Sequence, residues 1–349
     1  MVLLFNKGCM AIIRLGIFII LTISFFPIAK ADPLPSWNDG EIKKSIIDFV
    51  VIVTDPANHN YVAPQNRIAT LDNDGTLWVE KPVYTQILFA IARVKTLAPQ
   101  HPEWRHQRPF SFILREGKLS DFTSSMEDIK QLLIATHTGM SIETYHRLAK
   151  EWLDSAKNPR FQLLYKNTVY QPMLELIAYL QNNNFQVYIV TGGGQEFVRA
   201  YAEEVYGIDS AHVIGTLGET KYENVNNKPE LIKTPVVAYF DDGKKKPPAI
   251  NYFIGRKPII AFGNSDGDKQ MLEWTQSGNG LHLMFLIHHD DAVREYAYGT
   301  DSKIGTFSDA LMQEALQNHW KIISMKKDWK TIFPFKQTKV GKKEIITHY

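Results

Sequence analysis

Arg67-Ile68-Ala69-Thr70-Leu71-Asp72-Asn73-Asp74-Gly75-Thr76-Leu77-Trp78 sets a short apolar run against two carboxylates separated by one residue, with a glycine and a hydroxyl close behind. Residues 68–71 have the length of a buried parallel strand, bounded by turn chemistry. Asp72 and Asp74 would then leave the carboxyl end of that strand, where open α/β sheets keep their ligands. Carboxylates so placed can divide a phosphoryl transfer into two steps. In that chemistry Asp72 can attack phosphorus to give an aspartyl phosphate. Asp74 can protonate the leaving oxygen, then take a proton from the water that cleaves the intermediate. Carboxylate and phosphate repel, so the chemistry calls for a dication, and hard oxygen ligands suit magnesium. Thr76 is placed to orient the carboxylates by hydrogen bonding. The same residues also make good turn sequence after a strand. A calcium-binding EF-hand loop is a weaker reading, because Thr76-Leu77-Trp78-Val79 lacks the ligands that loop needs.

Working outward, residues 185–190 form a second apolar run that delivers Thr191-Gly192-Gly193-Gly194-Gln195, followed by a helical pattern over 196–206. A hydroxyl, glycines that admit close backbone approach and a helix start with free N–H groups together suit an anion. A third apolar run, 258–262, ends in Gly263-Asn264-Ser265-Asp266-Gly267-Asp268, which opens another helix. Between the two lies Lys244-Lys245-Lys246-Pro247-Pro248, a lysine run ending on prolines that begin a helix.

Asp72-Asn73-Asp74-Gly75-Thr76 resembles the D-x-D-x-T signature of the haloacid dehalogenase superfamily, in its phosphatase branch, and the three later stretches are similar to that superfamily's remaining motifs in order. Within that superfamily the chain resembles exported bacterial proteins of the phosphoserine-phosphatase-like branch. The resemblance implies an α/β fold with a Rossmann-like, doubly wound parallel sheet and a helical cap inserted after the first core strand. It implies Asp72 as nucleophile and metal ligand and Asp74 as general acid/base with its backbone carbonyl on the metal. Thr191, Gly192 and Lys246 would bind phosphate, the ammonium of Lys246 offsetting the charge of nucleophile and phosphoryl group. Asn264 and Asp268 would complete the Mg2+ site, although Asn264 stands where the common pattern has an acid. Asp266 is a further candidate ligand. Glu80 and Thr76 are candidate substrate contacts. The implied function is a magnesium-dependent hydrolase of a small phosphomonoester. The alternatives are a phosphotransferase or mutase on the same fold, and an exported, non-catalytic phosphate-ester binding protein.

Composition bounds the rest. The chain has 349 residues, 44% of them hydrophobic, so a large core is feasible and global disorder is excluded. Lysine and arginine number 39 against 37 acids, and a net charge of +2 argues against a nucleic-acid partner. Residues 1–31 read as a secretory signal: Lys7 and Arg14, an apolar stretch over 15–28, then Ala29-Lys30-Ala31 before Asp32 and prolines. An exported protein, periplasmic or secreted, is expected, with no stable membrane anchor after cleavage. Cys9, the single cysteine, lies inside that signal, so thiol chemistry and cysteine-ligated zinc are excluded from residues 32–349.

The remaining stretches supply the organisation. A helix over 39–53 with Asp39 at its cap is expected to pack at a sheet edge. Helical patterns over 84–97, 110–114, 126–136 and 142–156, the last capped by Ser141, place a cap at 82–165, too long for a loop. Core α/β segments then span 32–81 and 166–335, with a flexible tail at 336–349. Residues 213–237 read as two short strands about a turn at 224–228. His288-His289-Asp290-Asp291, after an apolar strand over 281–287, reads as structural before pocket lining or metal binding.

Overall fold

The computed structural model describes residues 31–115 and 125–334. The expected signal over 1–31, but for its last residue, and the expected tail at 336–349 lie outside the described residues. Residues 33–334 belong to one compact unit.

Its centre is a seven-stranded sheet. In chain order the strands are β1 (Ile68–Leu71), β2 (Gln186–Gly194), β3 (Val213–Val225), β4 (Lys228–Tyr239), β5 (Ile260–Gly263), β6 (Leu283–His288) and β7 (Lys321–Ser324). Their spatial order is β4-β3-β2-β1-β5-β6-β7, and every neighbouring pair is parallel except β3 with β4. Every residue of β1 is buried, because helices cover both faces of the sheet; such a strand reads as a continuous apolar run rather than an alternating one. The chain leaves β1 to build β2 on one flank and later β5 on the other. That reversal opens a crevice at the carboxyl ends of these three strands. The fold class expected from sequence is therefore present.

Helices α1 (Glu41–Thr54), α2 (Thr85–Leu97), α3 (Phe110–Leu114), α4 (Met126–His137) and α5 (Ile142–Leu153) follow the predicted patterns closely. Ser141 caps α5 by accepting the Thr144 N–H at 3.3 Å. Helix α1 starts later than expected, with Gly40 at its cap, because the Asp39 carboxylate is drawn to Lys43 one turn on, at 2.9 Å. Between β1 and β2, α2, α3 and α4 share an apolar cluster of their own built on Ile87, Val94, Phe110 and Leu132. Tyr145, Ala149 and Leu153 of α5 pack instead into the main core.

Two expectations change. The predicted helix over 196–206 is two short helices, α6 being Gln171–Asn182, α7 Gln195–Arg199 and α8 Ala202–Tyr206. The break falls at Tyr201, whose ring stacks on Trp78 at 4.7 Å and whose hydroxyl accepts a hydrogen bond from Asn73 at 3.1 Å. The two "short strands" of 213–237 are long, with 13 residues in β3 and 12 in β4. Asn226 and Asn227, at φ +52° and +63°, make the tight turn between them, the backbone that a two-residue hairpin requires. The hairpin runs past the sheet as far as the turn between α4 and α5. There Lys233 N–H donates to Met140 O, and Gly139 N–H to Lys233 O, both at 2.9 Å. Among the described residues no helix is long and apolar enough to cross a membrane.

Candidate active site

β1 ends at Leu71, and the Asp72 N–H donates to Phe262 O of β5 at 2.9 Å, which fixes where the carboxylate emerges. Asn73 turns away from the crevice, donating to the Tyr201 hydroxyl and accepting from that of Tyr206, both at 3.1 Å. Gly75 takes φ +78°, and the chain folds back so that Trp78 Nε1 donates to Asp74 Oδ1 at 2.8 Å. Asp72 and Asp74 thereby face one cavity of about 280 Å³. It is also lined by Thr191 and Gly192 of β2, by Lys246, Ser265 and Asp268, and by Glu80.

Lys246 is the first residue of α9 (Lys246–Ile254), with two prolines behind it that suit a first helical turn. Its ammonium is buried and donates to Asp72 Oδ1 at 2.6 Å, Asp268 Oδ1 at 2.7 Å and Val190 O at 2.9 Å. Burial disfavours that charge, yet Asp268, Asp72 and Asp242 hold the ammonium well above the usual lysine range. Asp72 moves the other way from an ordinary carboxylate. Burial and the neighbouring Asp268 raise it, and Lys246 offsets only part of the rise. Burial pushes Asp74 up to about 6, against the hydrogen bond from Trp78.

Asp268 stands just before α10 (Lys269–Gln276) and closes a capping box with Ser265. Its Oδ2 accepts the backbone N–H groups of Asn264 and Ser265 at 2.9 and 3.0 Å, while Oδ1 faces Lys246. Asn264 is buried behind Gly75. Its Oδ1 accepts from the Thr76 hydroxyl at 3.0 Å and its Nδ2 donates to Glu80 Oε1 at 2.9 Å. Thr76, expected to orient the Asp carboxylates, thus spends its hydroxyl on Asn264, and it is itself fully buried. Asp266 points outward, holding the Ser308 hydroxyl at 2.8 Å.

Glu80 does reach the cavity, buried to 1% exposure. It accepts from Tyr298 at 2.6 Å as well as from Asn264, and burial raises its carboxyl well above the usual range. The glycine loop differs from its expected form. β2 continues through Gly194, and α7 is only five residues long, so it offers no helix-end anion site. Gly193 N–H donates to the Thr191 hydroxyl at 3.0 Å, and Gly194 N–H to Gln86 Oε1 of α2 at 2.8 Å. What reaches the cavity is Thr191 and Gly192 themselves.

Two further acids belong to the site that the motifs do not mark: Asp242 at the cavity rim and the fully buried Asp241, whose carboxyl burial pushes up to about 7. Their signal was the acid pair directly ahead of the lysine run. His289, expected first as structural, has such a place. His289 Nε2 donates to Gly75 O at 2.8 Å, and Nδ1 meets Glu295 Oε2 at 3.1 Å, so this histidine braces the turn after Asp74. Among the described residues no cluster of three or more His, Cys, Asp or Glu has metal-binding geometry by itself.

A family model described as haloacid dehalogenase-like hydrolase matches residues 69–273, more than half of the chain. Among solved structures, the chain is similar to a conserved functionally unknown protein from Anaerococcus prevotii DSM 20548, at 17% identity and TM-score 0.56 over 84% of this chain and 94% of that one. It is also similar to a protein with unknown function from Bordetella pertussis Tohama I, at 15% identity and TM-score 0.47 over 74% of this chain and 98% of that one. A phosphoserine phosphohydrolase-like protein from Francisella tularensis subsp. tularensis SCHU S4 matches at 16% identity and TM-score 0.39 over 75% and 95%. No curated protein matches. The family match spans Asp72, Thr191, Lys246 and Asp268 together, and the chain belongs to the haloacid dehalogenase-like hydrolases.

Proposed function

We propose that this hydrolase is a magnesium-dependent phosphatase that cleaves a small organic phosphomonoester through a phosphorylated Asp72. The observation that carries the reading is the convergence of Asp72, Asp74, Thr191 and Lys246 on one cavity, with Lys246 Nζ 2.6 Å from Asp72 Oδ1. Lys246 holds Oδ1, so Oδ2 is the oxygen of Asp72 left to attack. It forms a bond to phosphorus while the bond from phosphorus to the leaving oxygen breaks. Asp74, with a carboxyl near 6, holds a proton often enough near neutrality to give it to that oxygen. The resulting Asp74 carboxylate then takes a proton from water, whose oxygen displaces Asp72 and releases inorganic phosphate. Thr191 and Lys246 steady the phosphoryl oxygens through both steps.

The donor chemistry fits magnesium. Asp72, Asp74, Glu80, Asp242 and Asp268 line the cavity against Lys246 and Lys303, a surplus of hard oxygen donors and negative charge. The residues that would hold the ion are Asp72, Asp74 and Asp268, which line the cavity, whereas Asn264, expected beside them, lies behind Gly75 with its amide held by Thr76 and Glu80. When bound, magnesium neutralises the charge between carboxylates and phosphoryl group. Within 82–165, Tyr84 just ahead of α2, Gln86 of α2, and Ile129 and Leu133 of α4 reach the cavity, which supports a cap role for this segment. Export remains part of the proposal, on the leader pattern of residues 1–31.

The test is release of inorganic phosphate from a panel of phosphomonoesters, with magnesium and then with a chelator. Magnesium-dependent release supports the reading. No release from any ester overturns it.

A further inference from the structure

A second, larger cavity of about 810 Å³ adjoins the first, and the two share Gln86, Ile129, Leu133, Gly192 and Phe240 as common wall. It lies between α4, α5 and the β3–β4 hairpin. The backbone bonds of Lys233 to Met140 and Gly139 fix the hairpin there. Three features of its lining need a ligand to make physical sense.

The first is Lys233, nine-tenths buried at 9% exposure. Its ammonium lies 4.7 Å over the Tyr145 ring and meets no carboxylate or hydrogen-bond acceptor among the described residues. Glu196 lines the same cavity, but its oxygens are taken by His146 at 2.7 Å and Arg199 at 2.9 Å. An ammonium at the end of a largely buried side chain, facing this cavity with a ring face as its partner, is poorly compensated. The second is His137. Thr136 gives its hydroxyl proton to Leu132 O at 2.7 Å, so its oxygen can only accept from His137 Nδ1, at 2.8 Å. Nε2 is then a bare acceptor, and it is buried with no partner among the described residues. Burial, then the nearby Lys233, pushes this histidine down to about 3, so it stays neutral. The third is the apolar remainder of the wall. Val236 and Phe240 are 50% and 48% exposed, and both face this space together with Leu133 and Phe197.

We propose that this second cavity receives the leaving group of the substrate, and that this group has an apolar body ending in a second anion held by Lys233. His137 Nε2 accepts a hydrogen bond from a hydroxyl on the same body. The shared wall makes the phosphoryl site and the anion site two ends of one substrate. The inference rests on the phosphomonoesterase reading above and adds the substrate class to it. A terminal carboxylate and a second phosphate would supply the same chemistry, and the test separates them.

The experiment compares kcat/KM for hexyl phosphate, its ω-carboxylate derivative and the bisphosphate of the same chain. The quantity read is the preference for each anion-ended ester over hexyl phosphate. The wild-type protein should prefer one of them by about 10- to 100-fold, the range for a buried charge-assisted hydrogen bond. Which one it prefers identifies the anion. Lys233→Met should abolish the preference, and Lys233→Arg should keep most of it. Equal rates on all three esters in the wild type, or a preference that survives Lys233→Met, overturns the proposal. If no ester is hydrolysed, calorimetry with the ω-hydroxy carboxylate and the matching diol monophosphate decides independently. Binding of either that Lys233→Met abolishes keeps the anion site while the phosphatase reading falls, and absence of binding by both removes the site as well.

Discussion

Replacing Lys246 with methionine keeps the length of the buried stem and removes the ammonium that Asp72 and Asp268 share, at 2.6 and 2.7 Å. Both carboxylates are buried, at 7% and 1% exposure, so water does not take the ammonium's place. Removing one partner of a buried ion pair costs about 3–5 kcal/mol. Here two carboxylates lose one cation, and Asp72 is already raised by burial and by Asp268, so the upper end, roughly 5 kcal/mol at pH 8, is expected. The loss should depend on pH in a defined direction. Without Lys246, the folded-state pKa of Asp72, already raised by burial and by Asp268, rises further above its unfolded value of about 4. Between those limits the folded state binds more protons than the unfolded state, so folded stability falls as pH rises. The deficit of Lys246→Met should therefore be largest at pH 8 and shrink at pH 5. Urea unfolding of wild type and variant at both pH values, with chelator present to exclude metal binding, measures it. Adding Asp72→Asn to Lys246→Met should restore part of the loss by removing one of the stranded charges. A Lys246→Met protein within about 1 kcal/mol of wild type at pH 8 would refute the reasoning, since surface substitutions cost about half that. So would a deficit that grows on acidification.

Trp78→Phe removes the 2.8 Å hydrogen bond that favours the charged form of Asp74. Its carboxyl, near 6 in the wild type, should rise, and the alkaline limb of the kcat–pH profile should move up by about one pH unit; an unmoved or lowered limb counts against Asp74 as the acid. Gly75→Ala would set a Cβ 2.2 Å from Asn264 Nδ2 and 2.4 Å from Glu80 Oε1, at φ +78°. Overpacking on top of left-handed strain should cost about 2–4 kcal/mol in urea unfolding. Gly207→Ala, at φ +66° with nothing within 4 Å, is the control and should lose only about 1 kcal/mol.

What could be read from the sequence was what a dozen neighbouring residues encode. Each motif is a local strand–loop–helix unit in which an apolar run ends on polar residues, so β1 with Asp72 and Asp74, β2 with Thr191, and β5 with Asp268 were all legible. Lys246 stood out because prolines follow it. Helices α2 to α5 were legible from period alone, because each buries one face. What escaped depends on residues far apart in the chain. The amide of Asn264 is spent on Thr76 and Glu80, 188 and 184 residues away, and no local pattern encodes such a bond. Lys233 reads as an ordinary charge on a polar strand; only the docking of the hairpin against the α4–α5 turn buries it. His289 likewise gains its role from Gly75, 214 positions earlier. The extent of β2 was misjudged because Gly192-Gly193-Gly194 looks like a turn, and only pairing with β3 keeps it extended.

The proposed chemistry stands or falls on the oxygen that receives the phosphoryl group. A hydrolysed ester, magnesium, rapid acid quenching and mass spectrometry of the peptide containing residues 67–78 would locate it. A phosphoryl group on Asp72 that appears within one turnover, and is absent from inactive Asp72→Asn, is the expected result. Phosphate carried on another residue, or full turnover by Asp72→Asn, would contradict it.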